Sequence, residues 1–207
     1  MIIAVDGPTA SGKGTIAKAL ALHFDLPHLD TGLLYRAVGY QVALKGGDPD
    51  SPDDALAACG FPNELLEEEE LRSEATGGLA SQVSIHPAVR EALFTRQRTF
   101  AEQPGGAVLD GRDIGTIIAP DAPVKLYITA SVEERARRRW LEMTGREIEI
   151  PLTEIEKDII ARDNRDINRS DAPLKAAPDA MVIDTTALDK EAAIEAVIEA
   201  VEEALKG

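Results

Sequence analysis

The chain is poor in the residues from which covalent staples and metal cages are built. Its 207 residues include one cysteine, Cys59, and three scattered histidines, His23, His28 and His86. A lone thiol forms no internal disulfide, and no Cys/His pair has zinc-ligand spacing, which excludes a disulfide framework and a structural zinc. Long apolar runs are missing too. The opening run from Met1 ends at Asp6, too short for a signal-peptide core with its cleavage site, and no stretch reaches the ~18 apolar residues of a membrane span. A cytoplasmic chain with no membrane partner is the expectation.

Basic charge is also scarce. Lys and Arg number 22 against 37 Asp and Glu, a formal net charge of -15, but the excess is local. From Asp48 to Glu74 ten acids face Arg72 alone, and from Asp179 onward eight acids face Lys190 and Lys206, leaving 19 acids and 19 bases elsewhere. Without a basic surface, DNA and RNA are poor partners, because non-specific nucleic-acid binding rests on one. The arginines clustered in the balanced part suit a small anionic ligand. Neither an Asn-Lys-x-Asp guanine motif nor an Asp-x-x-Gly switch motif occurs, which disfavours a GTPase.

What the chain does have is apolar material for one domain, 44% of its residues, arranged in a regular alternation. Short apolar runs at Ile2-Val5, Leu29, Ala107-Leu109, Val124-Ile128 and Met181-Ile183 alternate with helical patterns. Five such strands predict an α/β fold with a parallel sheet and flanking helices. In "SVEERARRRWLEM" Ser131 and Glu134 have capping-box spacing, and Asp189 caps a last helix with a stripe of Ile194, Val197, Ile198, Val201 and Leu205. The Gly-, Pro- and acid-rich segment 46–78 is either an inserted subdomain or a loop with a solvated acidic surface. Residues 145–172 are helix-compatible and dense in opposed charges.

Three strand ends carry chemistry. The first strand runs into Gly7-Pro8-Thr9-Ala10-Ser11-Gly12-Lys13-Gly14-Thr15 and then a helix, the context of a Walker A P-loop. Glycines let backbone N–H groups curl around phosphate, the helix N-terminus adds its dipole, and Lys13 reaches the β- and γ-phosphates. Gly14 stands where a Ser or Thr hydroxyl usually holds magnesium, so the ion is expected mainly on nucleotide oxygens and water. The second strand end, "LDTGLLYRA", aims Thr31 at the cleft beyond the sheet, with Arg36 further along the helix; a plain helix cap with Arg36 in a surface ion pair is the alternative. In the third, "VLDGRDIGT", Asp110 can accept from magnesium-bound water and Arg112 can fork onto a phosphate.

These motifs carry a resemblance. Gly-Lys-Gly-Thr resembles the loop of nucleoside monophosphate kinases such as adenylate kinases, which carry Asp-Gly-Phe-Pro-Arg at the third strand end. Asp-Gly-Arg-Asp here resembles the bacterial cytidylate kinases instead. "SQVSIHPAVREAL" and "RDNRDINRSDAPL" look like the same family, over nearly the whole chain except 48–74. The resemblance implies an adenylate-kinase-like P-loop kinase with core segments 1–45, 81–130 and 173–207, a monophosphate-binding insert at 46–80 and a lid at 131–172. The family's insert often contains strands; the short acidic stretch here makes a small sheet doubtful.

By the same resemblance, Ser81, Arg90 and Asp113 read the cytosine edge, where a carboxylate accepts from the N4 amino group while hydroxyl and guanidinium donate to acceptors. Thr31, Tyr35 and Arg36 belong to the monophosphate-binding helix. Arg36, Arg112 and Arg169 hold the acceptor phosphate, and Arg162 and Asp166 reach the sugar. Arg90 could instead be a solvated helix residue, and Asp166 could pair with Arg162 or Arg169 on its own helix. Arg137, Arg138 and Arg139 point around most of a helix, so at least one is solvated while others belong to a lid over ATP. The implied reaction is transfer of the γ-phosphoryl group of ATP to CMP or dCMP, with Mg2+, by a monomer. Lys13, Arg112, Arg162 and Arg169 would surround the moving group. A kinase for another small acceptor such as UMP, or a non-catalytic ATP-binding module, are the rival readings.

Overall fold

The computed structural model describes residues 1–145 and 147–206. Its centre is a parallel sheet of β1 (Ile2–Asp6), β2 (His28–Asp30), β3 (Ala107–Gly111), β4 (Val124–Thr129) and β5 (Met181–Asp184), in the order β2-β3-β1-β4-β5. All five strands expected from the sequence are present, and each has the expected direction. Because the strands are parallel, their carboxyl ends share one edge, and the three motif-bearing turns meet there. Register brings them side by side: Val5 pairs with Asp110, Asp6 with Gly111, and Asp30 with Asp110.

Alternation along β1 builds both faces of the core. Ile3 and Val5 pack with Ile16 and Leu20 of α1 (Lys13–His23) and Val197 and Val201 of α8 (Lys190–Ala204), whereas Ala4 faces Leu109, Ile114 and Ile118. Asp189 caps α8 as its sequence predicts, accepting from Ala192 N. The stripe is shorter than expected, because Leu205 lies beyond the last turn and is exposed.

The acidic stretch is folded, not a bare solvated loop. After α2 (Thr31–Leu44), Ser51 caps α3 (Pro52–Ala57), and two 3-10 turns, Asn63–Glu67 and Glu69–Arg72, lead into α4 (Glu74–Val83). Ala55, Ala58, Phe61, Leu65 and Leu71 bury themselves against Leu34, Val38 and Val42 of α2 and Val89 and Leu93 of α5 (Pro87–Ala101). The acids occupy the exposed positions between these anchors. Among the described residues 46–80 no strand forms.

The last unit is a helical hairpin, α6 (Val132–Thr144) and α7 (Leu152–Asn168), with a small core of its own: Ala136, Met143, Ile155 and Ile159. Ser131 caps α6 by accepting from Glu134 N at 3.2 Å. The reciprocal half of the expected capping box does not form. The Glu134 carboxylate turns to Arg137 and Arg138, and Ser131 N donates to Thr186 Oγ1.

Candidate active site

The loop from Gly7 to Lys13 hugs the end of the sheet. A Cβ at Gly7 would stand 2.1 Å from the Ile128 carbonyl oxygen, and Gly12 has a φ of 88°, so both positions require glycine. Gly12 leaves the first turn of α1 with no side-chain cap and no acid, so its N–H groups are available to an anion. Lys13 folds back over the loop, donating from Nζ to Pro8 O at 3.2 Å. Burial and the Arg112 guanidinium pull its ammonium down to about 8 against the opposing pull of Asp110, Asp30 and Asp166.

Directly across from the loop stands Asp110. A Cβ at residue 14 would be 3.7 Å from Asp110 Oδ2, so the carboxylate faces the position left bare by Gly14. Its other oxygen is held by His28 Nε2 at 2.6 Å. Asp30 lies beside it, its carboxyl pushed up by burial and by Asp110, and caps α2 by accepting from Leu33 N. Thr31 lines the cleft with its side chain largely buried, and its hydroxyl donates to Asp110 O at 2.8 Å, tying α2 to β3.

The turn after β3 carries the next groups. Arg112 donates from Nε to Asp166 Oδ2 at 2.7 Å, so Asp166 pairs with this turn rather than with an arginine of its own helix. Asp113 is buried against Arg90, whose Nε also donates to Asp171 Oδ2 at 3.0 Å. Arg90 is therefore no solvated helix residue, and it lies 5.8 Å over the buried Tyr35 ring. Arg169 fixes its Nε on Ala172 O, while its buried Nη2 lacks a hydrogen-bond partner among the described residues and sits 3.8 Å from Asp113 Oδ1. Burial, and then the Arg90 guanidinium, lower that of Arg169. Ser81 Oγ accepts from Arg165 Nε at 3.0 Å. Arg36 donates from Nη1 to Leu71 O and Ser73 O, each at 2.8 Å, and so fastens the 46–80 segment to α2.

The hairpin closes the other side. Arg138 reaches Ser11 O of the phosphate loop and three oxygen atoms in the turn after β5, on Thr185 and Leu188. Arg139 pairs with Glu74 and Glu142, and Arg137 is the solvated member of the three. Arg162 meets Glu74 Oε1 at 2.8 Å and Asp158 Oδ2 at 3.0 Å.

Two cavities follow from this arrangement. One of about 610 Å³ lies between the loop and the hairpin, lined in part by Gly12, Thr15, Arg138 and Met143; the other, about 260 Å³, is lined by Lys13, Arg90, Asp113 and Arg169 among others. Thr9, Ala10, Arg36, Arg139 and Arg162 border both. Apart from Pro8 and Gly7, which shape the loop from behind, every site residue expected from the sequence lines one or both.

Several participants escaped the sequence reading. His28 was visible as one residue of a strand, two before Asp30 and hence on its face, but its partner lies 82 positions on. Arg135, which donates to Thr9 O and pairs with Asp163, was hidden in an arginine run. Asp6 was read only as the end of a strand; its carboxylate accepts from Ile114 N and Gly115 N, and burial pushes it up to about 7.

A glycine-shaped phosphate loop beside a second pocket crowded with guanidiniums defines a P-loop phosphotransferase whose acceptor is itself a phosphorylated small molecule. Comparison with known proteins narrows the class. The family model described as cytidylate kinase matches residues 3–203, and the chain belongs to that family. It is 52% identical over 204 residues to the cytidylate kinase of Caulobacter sp. (strain K31), covering 98% of this chain and 94% of the relative. It is 53% identical over 200 residues to that of Cereibacter sphaeroides (strain KD131 / KCTC 12085), covering 97% and 94%. Among solved structures, TT1252 from Thermus thermophilus superposes with a TM-score of 0.50 at 20% identity, over 100% of this chain and 98% of that one, a likeness of fold.

Proposed function

We propose that the two cavities divide the reactants of the cytidylate kinase reaction, ATP against the phosphate loop and the hairpin, the acceptor nucleotide against Arg90 and Asp113. The chain transfers the γ-phosphoryl group of ATP to CMP and dCMP, giving CDP and dCDP. The observation that carries the division is the paired, buried Arg90 and Asp113 beside Arg169, whose buried Nη2 has no hydrogen-bond partner among the described residues. A carboxylate and a guanidinium present both kinds of hydrogen-bonding group needed for the N4 amino group and the N3 and O2 acceptors of cytosine.

The acceptor phosphate is already ionised at neutral pH, so its attacking oxygen needs no strong base, and catalysis reduces to alignment and charge stabilisation. Arg162 borders both cavities and Lys13 lines the smaller one from the phosphate loop; the two would flank the moving phosphoryl group, with Arg36, Arg112 and Arg169 on the acceptor phosphate and Asp166 at the sugar. Tyr35 and Ser81 complete the acceptor wall. We read residues 46–80 and 131–172 as the insert and lid that close on the two nucleotides and exclude water, and a monomer suffices because the chain's own residues line both cavities.

The donor set fits a nucleotide-borne magnesium ion. No group of three His, Cys, Asp or Glu among the described residues could hold a metal, and Asp110 has one oxygen on His28 and the other toward the phosphate loop. Asp110 would accept from a metal-bound water. The ion, when bound, screens the negative charge of the phosphates. No helix among the described residues is long and apolar enough to cross a membrane.

The test is an acceptor panel of CMP, dCMP, UMP, AMP and GMP with ATP and magnesium, read by ADP release. CMP and dCMP are expected to turn over best. Preference for a purine monophosphate would overturn the assignment of Arg90 and Asp113 to the base.

A further inference from the structure

Asp113 occupies the N-cap position of the five-residue helical turn Ile114–Ile118, with φ -148° and ψ 23°. An aspartate at that position normally turns its carboxylate onto the N–H groups of the first turn. This one makes no such bond; it points at Arg90 and Arg169. Two donors of the first turn are instead satisfied from another strand. Asp6 Oδ1 accepts from Ile114 N and Asp6 Oδ2 from Gly115 N, both at 2.8 Å, across a sequence separation of more than 100 residues. Asp6 is buried, and it is the last residue of β1, immediately before the phosphate loop.

We propose that Asp6 is a positioning residue that caps the turn after β3 in place of Asp113, and so releases the Asp113 carboxylate to face the acceptor base. The inference rests on the base-reading role given to Asp113 above and deepens it. Two competing uses exist for one carboxylate: local capping, which is always available because it is intramolecular and adjacent, and recognition of a ligand. A second acceptor pair delivered from the neighbouring strand removes the first use. The parallel pairing of Asp6 with Gly111 puts that second carboxylate in reach of the turn without any loop having to move. An asparagine at position 6 keeps the size but offers one acceptor oxygen and one amide, which meets an N–H with an N–H. One donor of the turn is then left open, and when that donor is Gly115 N, the second position of the turn, the N-cap Asp113 is the local carboxylate placed to take it.

The experiment is equilibrium binding and steady-state kinetics of Asp6→Asn, Asp113→Ala and the double variant, with CMP, UMP and ATP. For Asp6→Asn we expect CMP affinity to fall about tenfold, the scale of a lost hydrogen bond to a charged group, CMP-over-UMP selectivity to shrink, and ATP affinity to stay within about twofold. In the Asp113→Ala background the Asp6 substitution should change CMP affinity no further. Equal losses for ATP and CMP, or losses that simply add in the double variant, would mean that Asp6 supports the fold generally and does not act through Asp113. Asp113→Ala alone reports on the base reading: an unchanged CMP-to-UMP ratio there sinks that reading, whereas a changed ratio with an additive cycle sinks only the role of Asp6. Should Asp6→Asn fail to fold, amide hydrogen exchange on the unmodified protein decides. Slow exchange at both Ile114 and Gly115 is expected, and exchange as fast as that of exposed surface amides would overturn the cap.

Discussion

Glu74 Oε1 lies 2.8 Å from Arg162 Nη2, so a carboxylate from the 46–80 segment and the start of α4 sits among guanidiniums of the helical hairpin. Arg139 pairs with the same side chain, and Arg36 borders the same cavity. Burial pushes the Glu74 carboxyl up, but Arg162 and Arg139 overcome this and hold it below its usual value. The stabilisation is therefore present above the ordinary glutamate range and is lost as the pH falls through the depressed value. Glu74→Gln should lower the melting temperature of the nucleotide-free protein by a few degrees, since a partly exposed pair is worth about 1 kcal/mol or less and a chain of this size shifts ~2–4 °C per kcal/mol. With the internal anion gone, the arginines favour an external one more, so the upward shift on adding ATP and CMP should grow. Thermal melts with and without nucleotides check both signs.

The Lys13 ammonium hydrogen-bonds within its own loop, to Pro8 O, and its side chain is no part of the hydrophobic core. Lys13→Ala should cut kcat by several orders of magnitude while the melting temperature stays near that of the parent. The same ammonium, pulled down to about 8, is charged below that pH and neutral above it in the free enzyme. Hence kcat/KM for ATP should decline as the pH rises through about 8. In the complex the phosphates favour the charged form, so kcat itself should hold to higher pH.

Arg112→Ala removes a guanidinium from the acceptor side and leaves Asp166 without its 2.7 Å partner. CMP affinity should fall roughly ten- to a hundred-fold, from about 1.5–3 kcal/mol for a charge-assisted contact, and ATP should change far less. Separate titrations of the two nucleotides distinguish the banks of the cleft.

Asp113→Asn offers the base an amide that can donate, which suits the O4 carbonyl of uracil and serves the cytosine amino group poorly. UMP should gain on CMP in kcat/KM, because a site built for one hydrogen bond discriminates through the polar group it leaves unpaired. A loss of equal size for both acceptors would instead assign Asp113 to orienting Arg90, its buried partner.

Much of this arrangement was legible in the sequence wherever the signal was local. The loop Gly7–Lys13, the turn at Asp110–Asp113 and the five strands each announce themselves within a dozen residues, because a strand, a turn and a helix start are short-range objects. Pairings that cross the chain were not legible. Nothing adjacent to Glu74 says that Arg139 and Arg162 will meet it, and nothing near His28 names Asp110. The 46–78 segment stayed open between subdomain and loop for a different reason. Its core contacts come from isolated anchors, Phe61, Leu65 and Leu71, spaced by Pro and 3-10 turns, so they show neither a 3.6 nor a 2.0 period, and the intervening acids dominate its composition. Thr31 shows the limit within a recognised motif: its place at the cleft was legible, but the hydrogen bond of its hydroxyl to Asp110 O, far along the chain, was not.

The hairpin of α6 and α7 has its own hydrophobic nucleus, apart from the sheet core. Truncations in the two nuclei are therefore expected to act differently. Trimming a buried residue of the sheet such as Leu126 would cost the whole chain stability, while trimming Ile159 would loosen first the hairpin that carries Arg138, Arg139 and Arg162. On the proposed division of the nucleotides, heat resistance and turnover would then answer to different substitutions.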